Sequence, residues 1–173
     1  ESILAMRNRE PAILGTVDGL CKYDSEYAVP VQIAFGQRAN YVVVEDAATA
    51  SKSIDMLTRE GGRASFIPLD KIHAIPITAA DRETAKHKAC LGFLIDFLKF
   101  EPGVKKAFEY VCGNTLLVTS LREARDLVGR IRFVTMDGDL GESSGLLTGG
   151  KATAKINVVK ENSELAEHSK KYE

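Results

Sequence analysis

Two stretches of the chain have nearly the same sequence: Gly62-Arg63-Ala64-Ser65-Phe66-Ile67-Pro68-Leu69-Asp70 and Gly129-Arg130-Ile131-Arg132-Phe133-Val134-Thr135-Met136-Asp137. Both follow the pattern Gly-Arg-x-x-Phe-aliphatic-x-aliphatic-Asp. Upstream of them, three positions recur at a constant spacing of 77 residues: Gly15 with Gly92, Lys22 with Lys99, and Gly36 with Gly113. Internal repeats dictate architecture, because each copy folds into the same supersecondary unit. The sequence therefore predicts a duplicated fold with two similar lobes.

The composition is that of an ordinary globular protein, with 173 residues that are 45% hydrophobic and 27% charged. A formal net charge of −1 excludes a global positive field, so any contact with nucleic acid must be a local patch. No apolar run approaches the roughly 20 residues that span a bilayer. Cys21, Cys90 and Cys112 lack the close spacing of zinc sites or disulfide frameworks, which favours a reducing cytoplasm. Because residue 1 is Glu1 rather than Met, we expect a piece of a longer protein.

The first copy predicts an alternation of strands and helices. Pro11 should end an entering polar helix, since proline cannot continue the hydrogen-bond ladder. The β-branched run Tyr41 to Val44 is typical of a buried strand. Gly36 and Gly61 suit the left-handed positions that end helices. The predicted elements are helix 2–10, strand 13–17, helix 27–35 with Pro30 in its first turn, strand 41–44, helix 47–59 and strand 64–69.

The second copy repeats this order after a connection that fits neither copy. Its predicted elements are strand 93–98, helix 104–111, strand 115–119, helix 121–128, strand 131–135 and a turn at Asp137-Gly138. A glycine-rich stretch and an alternating strand, 153–158, follow. The predicted organisation is an entering arm at 1–12, lobe I at 13–70, a connection at 71–91, lobe II at 92–159 and a second polar helical arm at 160–173.

The stretch from Gly145 to Lys151 matches most of a phosphate-binding loop, in which backbone amides and a lysine hold a triphosphate. Such a loop needs Ser or Thr at the next position to bind magnesium, but the chain has Ala152. It should also lead into a helix, whereas Thr153 to Val158 has the period of a strand. A small phosphate-ligand or nucleotide-binding domain is therefore the alternative interpretation. Glycines in a strand also mark places where a second backbone approaches closely.

No residues form a recognisable catalytic or metal site. His73, His87 and His168 are far apart, so they lack the spacing of metal ligands. Asp137 and Asp139 flank a glycine, a pattern more typical of a turn than of acid-base chemistry. Ser143 and Ser144 lack the strand-turn-helix elbow of a nucleophile. We therefore predict a non-catalytic domain without a metal or cofactor.

Basic residues near the second repeat are the candidates for anion binding. Arg130 and Arg132 lie in the repeat itself, and Lys151 and Lys155 follow the glycine-rich stretch. No aromatic residues are interleaved with the lysines, so the stacking platforms of single-strand binders are missing. A solvated strand face is the competing interpretation of the lysines.

The order of the motifs resembles the hinge domain of structural maintenance of chromosomes (SMC) proteins from about Ile13 to Gly150. The segments that carry the resemblance are Glu26 to Gly36, Tyr41 to Asp46, Gly62 to Asp70, Gly113 to Val118, Val134 to Gly138, and Ser144-Gly145-Leu146-Leu147-Thr148-Gly149-Gly150. Pro30 departs from the family pattern, where this helix usually has a helix former. The length of the connection departs from it too.

The resemblance implies a mixed α/β hinge fold whose two lobes each hold a small sheet flanked by helices. It implies a homodimer, or a pair with a related chain, that closes into a ring and joins coiled-coil arms running to distant ATPase heads. A strand of one lobe would pair with a strand of the other lobe in the partner. The expected interface residues are Gly145, Leu146, Leu147, Thr148, Gly149 and Gly150.

The resemblance also implies a role in chromosome condensation and segregation, with the hinge as a gate for DNA. Weak DNA contact is expected from Lys151, Lys155, Arg130 and Arg132. ATP and Mg would bind only at the heads of the full-length protein, where accessory subunits also act. The implied location is the cytoplasm, on the nucleoid and away from membranes.

Overall fold

The computed structural model describes residues 3–150 and confirms a mixed α/β fold with two small sheets flanked by helices. In chain order the helices and strands are α1 (Ile3–Arg9), β1 (Ile13–Thr16), α2 (Ala28–Phe35), β2 (Val42–Val44), α3 (Ala47–Glu60), β3 (Phe66–Pro68), α4 (Ala79–Thr84), β4 (Cys90–Phe93), α5 (Lys105–Cys112), β5 (Leu116–Val118), β6 (Phe133–Thr135), β7 (Leu140–Gly141) and β8 (Leu147–Thr148). The predicted strand 153–158 and arm 160–173 lie outside the described residues.

Contacts between Cα atoms divide the described chain into two compact units, and each unit contains segments of both repeats. Unit 1 comprises residues 3–22, 35–78 and 98–114, and unit 2 comprises residues 23–34, 79–97 and 115–150. Helix α5 of the second repeat thus belongs to unit 1. Nearly all of α2, from the first repeat, belongs to unit 2. The predicted lobes 13–70 and 92–159 are repeats of sequence, and the compact units divide the chain differently.

Unit 1 is built on a three-stranded sheet of order β1-β2-β3. The pair β1 and β2 is antiparallel, and the pair β2 and β3 is parallel. All three valines of β2 are fully buried, as expected for a β-branched strand covered on both faces. One face packs on a core cluster that comprises Met6, Ile13, Val42, Val44 and Ala50, with Met56, Leu57 and Phe66 against it.

The helices of unit 1 begin and end within one residue of their predicted bounds. Asp46 caps α3 by accepting the Thr49 N–H at 2.7 Å, and this hydrogen bonding lowers the pKa of the Asp46 carboxyl. Gly61 ends the same helix with φ +83°, a left-handed conformation that favours glycine. Helix α5 buries Phe108, whose ring stacks on Phe100 with centroids 4.6 Å apart.

Equivalent residues of the two repeats meet in unit 1. Lys22 and Lys99 exchange both backbone hydrogen bonds, with N···O distances of 2.8 and 2.7 Å. Two residues that occupy the same position in the two repeats, 77 residues apart, thus bond each other through their backbones. The predicted duplication is visible in the hydrogen bonding as well as in the order of elements.

Unit 2 contains a five-stranded sheet of order β4-β5-β6-β7-β8. Its first three strands repeat the pattern of unit 1, with β4 antiparallel and β6 parallel to the buried strand β5. Strands β7 and β8 have two residues each and extend the sheet by a hairpin. The predicted turn at Asp137-Gly138 joins β6 to β7, and Gly138 has φ +94°. A side chain at Gly138 would strike Val29 of α2, so the turn is packed closely under that helix.

The predicted strand 93–98 is wrong. The strand is β4, Cys90–Phe93, and residues Leu94–Phe97 form a short 3-10 helix. Gly92 has φ +149° and lies at a register shift, as Gly15 does in β1. The Leu94 N–H donates to the Thr115 carbonyl, one position past the Phe93–Leu116 pair, and the chain leaves the sheet after this bond and enters the 3-10 helix. The spacing of 77 residues from β1 would have placed the strand correctly.

The predicted helix 121–128 is also wrong, because this segment forms successive turns and a 3-10 helix, Arg125–Leu127. Ser120 Oγ accepts the Glu123 N–H at 3.2 Å, which starts a local turn. Gly129, with φ +82°, ends the segment before a second α-helical turn can form. Ala124 and Leu127 are nevertheless fully buried, so the apolar spacing correctly indicated an inward face.

The connection between the repeats contains helix α4, which the sequence did not predict. After this helix, His87 Nε2 contacts both Asp126 carboxylate oxygens at 2.9 and 3.0 Å. The other ring nitrogen, Nδ1, accepts the Ala89 N–H at 3.0 Å. Both ring nitrogens are thus used to hold the end of the connection where β4 begins. Hydrogen bonding to His87 lowers the pKa of the Asp126 carboxyl.

We predict that Gly141→Ala destabilises unit 2. A Cβ at Gly141 would lie 2.5 Å from ring carbons of Phe133, which is fully buried and cannot move aside. The free energy of unfolding should fall by about 1–3 kcal/mol, measured by urea denaturation. Gly103→Ala is the control, since a Cβ there meets no atom within 4 Å. If the two variants were equally stable, the predicted clash between a Cβ at Gly141 and the Phe133 ring would be wrong.

We predict a pH-dependent loss of stability for Asp126→Asn. The pKa of Asp126 is lowered from its ordinary value of 3.8, so its contribution is complete above that pH. The contribution disappears as the pH falls through the lower folded-state value. The variant should have a lower urea midpoint than the wild type at about pH 7, and the difference should shrink at about pH 2.5. Asp55→Asn, an exposed change on α3, should leave the midpoint unchanged. If the difference in urea midpoint between Asp126→Asn and the wild type were the same at both pH values, the stabilisation would not come from the charged Asp126 carboxylate.

Candidate functional site

The six predicted interface residues lie together at one edge of the unit 2 sheet. Leu147 and Thr148 form β8, the last strand, and Gly145, Leu146, Gly149 and Gly150 flank it. The side chains of Leu146 and Leu147 are 63% and 46% exposed. An edge strand with exposed leucines is a surface on which another chain can pair, because no residue in the range 3–150 covers its outward backbone groups and apolar side chains.

The register of the hairpin determines which backbone groups point outward. The Glu142 N–H donates to the Leu146 carbonyl at 2.9 Å. Leu147 is opposite Gly141, one position further along, and antiparallel ladders alternate between bonded and non-bonded pairs. The N–H and C=O of Leu147 therefore point away from β7, toward the free edge. The same alternation turns the Gly149 N–H outward.

The glycines of this stretch have different structural causes. Gly145 and Gly150 have φ +98° and +120°, and a Cβ on either would meet nothing within 4 Å. At both positions it is therefore the backbone conformation, and not crowding, that requires glycine. A Cβ on Gly149 would instead collide with the Asp139 carboxylate of the same chain. The neighbour of Gly149 within the chain is thus a side chain, and the close approach of a second backbone stays a prediction.

Side chains at both ends of the hairpin hold it in place. At the turn, Arg132 Nε donates to Glu142 Oε2 at 3.2 Å, while its Nη atoms donate to Thr115 Oγ1 at 3.0 Å and the Ala34 carbonyl at 2.9 Å. At the open end, Asp139 Oδ1 accepts the Gly150 N–H at 3.3 Å.

The described residues include two of the four predicted DNA-binding residues, Arg130 and Arg132. Arg132 is only 19% exposed in its side chain and uses both Nη atoms and Nε within unit 2. Arg130 is exposed, and Lys151 and Lys155 lie outside the described residues. The structure thus gives Arg132 a structural role, which leaves Arg130 as the candidate in the described region.

A second sheet edge, missed in the sequence analysis, lies on β3 of unit 1. Its equivalent in the second repeat, β6, pairs with β7 on its outer side, Phe133 opposite Gly141. Strand β3 is the last strand of its sheet, so Phe66, equivalent to Phe133, is at an edge. Pro68 removes one donor from this edge, as is common in edge strands. The absence of a hairpin sequence after the first repeat was the signal for this edge.

Little chemistry is available elsewhere in residues 3–150. In that range no three His, Cys, Asp or Glu side chains are placed to hold a metal ion. Burial raises the pKa of the Cys21 thiol to about 12, which keeps it protonated and unreactive. The loop from Gly145 contains the strand β8, unlike a phosphate-binding loop. The longest helix there, α3, has 14 residues, and no helix in the range could cross a bilayer.

Comparisons with known proteins agree on one family. A model of the family "SMC proteins Flexible Hinge Domain" matches residues 10–128. The chromosome partition protein Smc of Gloeobacter violaceus is 36% identical over 158 residues, which cover 88% of this chain and 13% of that protein. The chain thus spans about an eighth of the length of this relative.

Two solved structures of hinge domains have the same fold. An asymmetric dimer of the Geobacillus stearothermophilus SMC hinge domain gives a TM-score of 0.81 at 27% identity, covering 98% of this chain and 73% of that chain. The Pyrococcus furiosus Smc hinge domain with an extended coiled coil gives a TM-score of 0.75 at 31% identity, covering 98% of this chain and 62% of that chain. Because the family model covers more than half of the sequence, the chain belongs to the flexible hinge domain family of SMC proteins.

Proposed function

We propose that this chain is the dimerisation hinge of an SMC-type chromosome partition protein. The observation that carries the proposal is the free edge at β8, with two exposed leucines and the outward backbone groups of Leu147. Pairing with a second chain would satisfy these groups and cover the side chains. The hinge itself is non-catalytic and needs no cofactor, and ATP hydrolysis belongs to separate heads of the full-length protein.

The partner edge in this proposal is β3 of a second copy. In unit 2, the outer side of β6 is completed by β7, whereas the equivalent outer side of β3 ends its sheet. Strand β8 of one chain would supply the missing neighbour of β3 in the other. A twofold arrangement creates two such junctions, so a pair of chains closes without leaving an open end. A related chain with the same edges could take the place of the second copy.

The ends of the chain are proposed to continue into coiled-coil arms. Helix α1 enters unit 1 with Met6 fully buried in the core. Beyond it, Glu10 accepts a hydrogen bond from Lys52 of α3 at 3.0 Å, which ties the arm to the unit. The related hinge from P. furiosus has an extended coiled coil.

Opening of one junction between the two hinges would serve as a gate for DNA on the bacterial or archaeal chromosome. Accessory subunits would act elsewhere on the protein.

We also propose weak contact with DNA through Lys151, Lys155 and Arg130. A net charge of −1 gives no general attraction, so a few local cations must supply the affinity. Arg132 is omitted because its guanidinium is used within unit 2. Such binding depends strongly on salt, since each phosphate contact releases counterions.

We predict that Leu147→Pro gives a folded monomer. Proline removes the outward N–H of the edge and leaves the pairing with β7, to which Leu147 does not donate. Light scattering at micromolar concentration should give a mass near twice 18.9 kDa for the wild type and near 18.9 kDa for the variant. Leu147→Val is the matched control, because it keeps the N–H and should remain a dimer. A dimeric proline variant would refute β8 as the paired edge, and a monomeric wild type would refute self-pairing.

We predict that a triple variant with Arg130, Lys151 and Lys155 changed to Gln binds duplex DNA more weakly. Fluorescence anisotropy from 50 to 200 mM salt should show a slope of log affinity against log salt reduced by about 3. The control changes three exposed cations of unit 1, Arg59, Lys71 and Lys105, to Gln. Equal loss in both triple variants would mean that binding follows total charge and not this surface.

A further inference from the structure

We propose that Asp139 and the Glu142–Arg132 pair are positioning residues for dimerisation, because they clamp the hairpin that presents β8. The inference rests on the proposed function and adds to it the residues that prepare the edge. Neither clamp lies on the outward side of β8. Their effect on the partner is therefore indirect, through the order and position of the strand.

The hairpin needs such clamps because little else holds it. Strands β7 and β8 have only two residues each. Leu146, Leu147 and Thr148 are all exposed, so burial of side chains contributes little on this side. Strand β8 is therefore held mainly by its pairing with β7, which in turn pairs with β6. An edge that fluctuates must be ordered when it binds, and that ordering weakens association.

The first clamp fixes the turn of the hairpin. Glu142 begins the turn, and its own N–H bonds the Leu146 carbonyl at 2.9 Å. Its carboxylate accepts Arg132 Nε at 3.2 Å. Arg132 is itself held rigidly by Thr115 and by the last turn of α2 through the Ala34 carbonyl. The turn is thus attached to two elements of unit 2 other than β7.

The second clamp fixes the open end. Asp139 Oδ1 accepts the Gly150 N–H at 3.3 Å, immediately after β8. Asp139 is in turn fixed by Thr135, since its N–H donates to Thr135 Oγ1 at 3.0 Å and its carbonyl accepts the Thr135 N–H at 2.8 Å. A side chain at Gly149 would occupy the space of the Asp139 carboxylate. The second clamp therefore explains this glycine from within the chain.

The test compares the dimer dissociation constants of clamp variants, measured by analytical ultracentrifugation across dilution. Asp139→Ala and Glu142→Ala should each weaken the dimer by roughly tenfold, the effect of one lost charged hydrogen bond. Their urea midpoints, measured at a protein concentration below the dimer dissociation constant, should stay close to the wild type, because the hairpin lies at an exposed edge. Asp139→Asn keeps an acceptor oxygen and should restore most of the affinity, as should Glu142→Gln.

Asp137→Ala is the matched control. Asp137 is an exposed carboxylate in the turn between β6 and β7, two residues before Asp139, and it takes no part in either clamp. It should dimerise like the wild type. Equal affinity of the control and the two clamp variants would overturn the proposal, as would Asn and Gln variants as weak as the Ala variants.

Amide hydrogen exchange distinguishes this inference from the proposed function. The Glu142 N–H bonds the Leu146 carbonyl within the chain, so its protection reports hairpin order in a monomer or a dimer. Faster exchange in Asp139→Ala and Glu142→Ala supports the clamps even if the wild type proves monomeric, which would refute only the proposed function. If the Glu142 amide exchanges at the wild-type rate in both alanine variants, the clamps are refuted, whether the wild type is a monomer or a dimer.

Discussion

Burial of two short strands on both faces is the constraint on which the rest of the structure depends. Every residue of β2 and β5 is fully buried, although each strand has only three residues. Sheets this small cannot cover their own central strands, so helices must do so. Each unit also includes a helix of the other repeat, since α5 belongs to unit 1 and most of α2 to unit 2. Each repeat thus supplies the sheet of one unit and a helix of the other.

The two units share this framework and differ at their edges. After the second repeat, the turn at Asp137-Gly138 leads into β7 and β8, and after the first repeat the chain leaves toward α4. The difference leaves unit 1 with an edge at β3 and unit 2 with an edge at β8. In the proposed dimer these edges are complementary rather than identical. A diverged duplication can in this way provide both halves of an interface within one chain.

The fold class and the location of the candidate site were predictable from the sequence. Strand β2 and helix α3 had clear local signals, namely a run of valines and an Asp46 cap with Gly61 at the end. The errors at Leu94–Phe97 and at 121–128 have another origin, because an apolar pattern indicated regular elements where the chain leaves the sheet after Phe93 and where Gly129 ends the segment early. The clamps could not be predicted, since Arg132 reaches Ala34 across 98 positions of the chain and only the fold brings them together.

The assignment of helices to units also constrains the order in which the chain can fold during synthesis. Ribosomes release domains from the N-terminus at about 5–20 residues per second, and a domain folds once its last element has emerged. Unit 1 includes residues 98–114, so it must wait for α5 although its sheet ends at Pro68. During that interval unit 1 lacks the fully buried Phe108 of α5. Completion of the first unit is therefore coupled to synthesis of the second repeat, and a chain stopped at residue 78 would leave unit 1 unfinished.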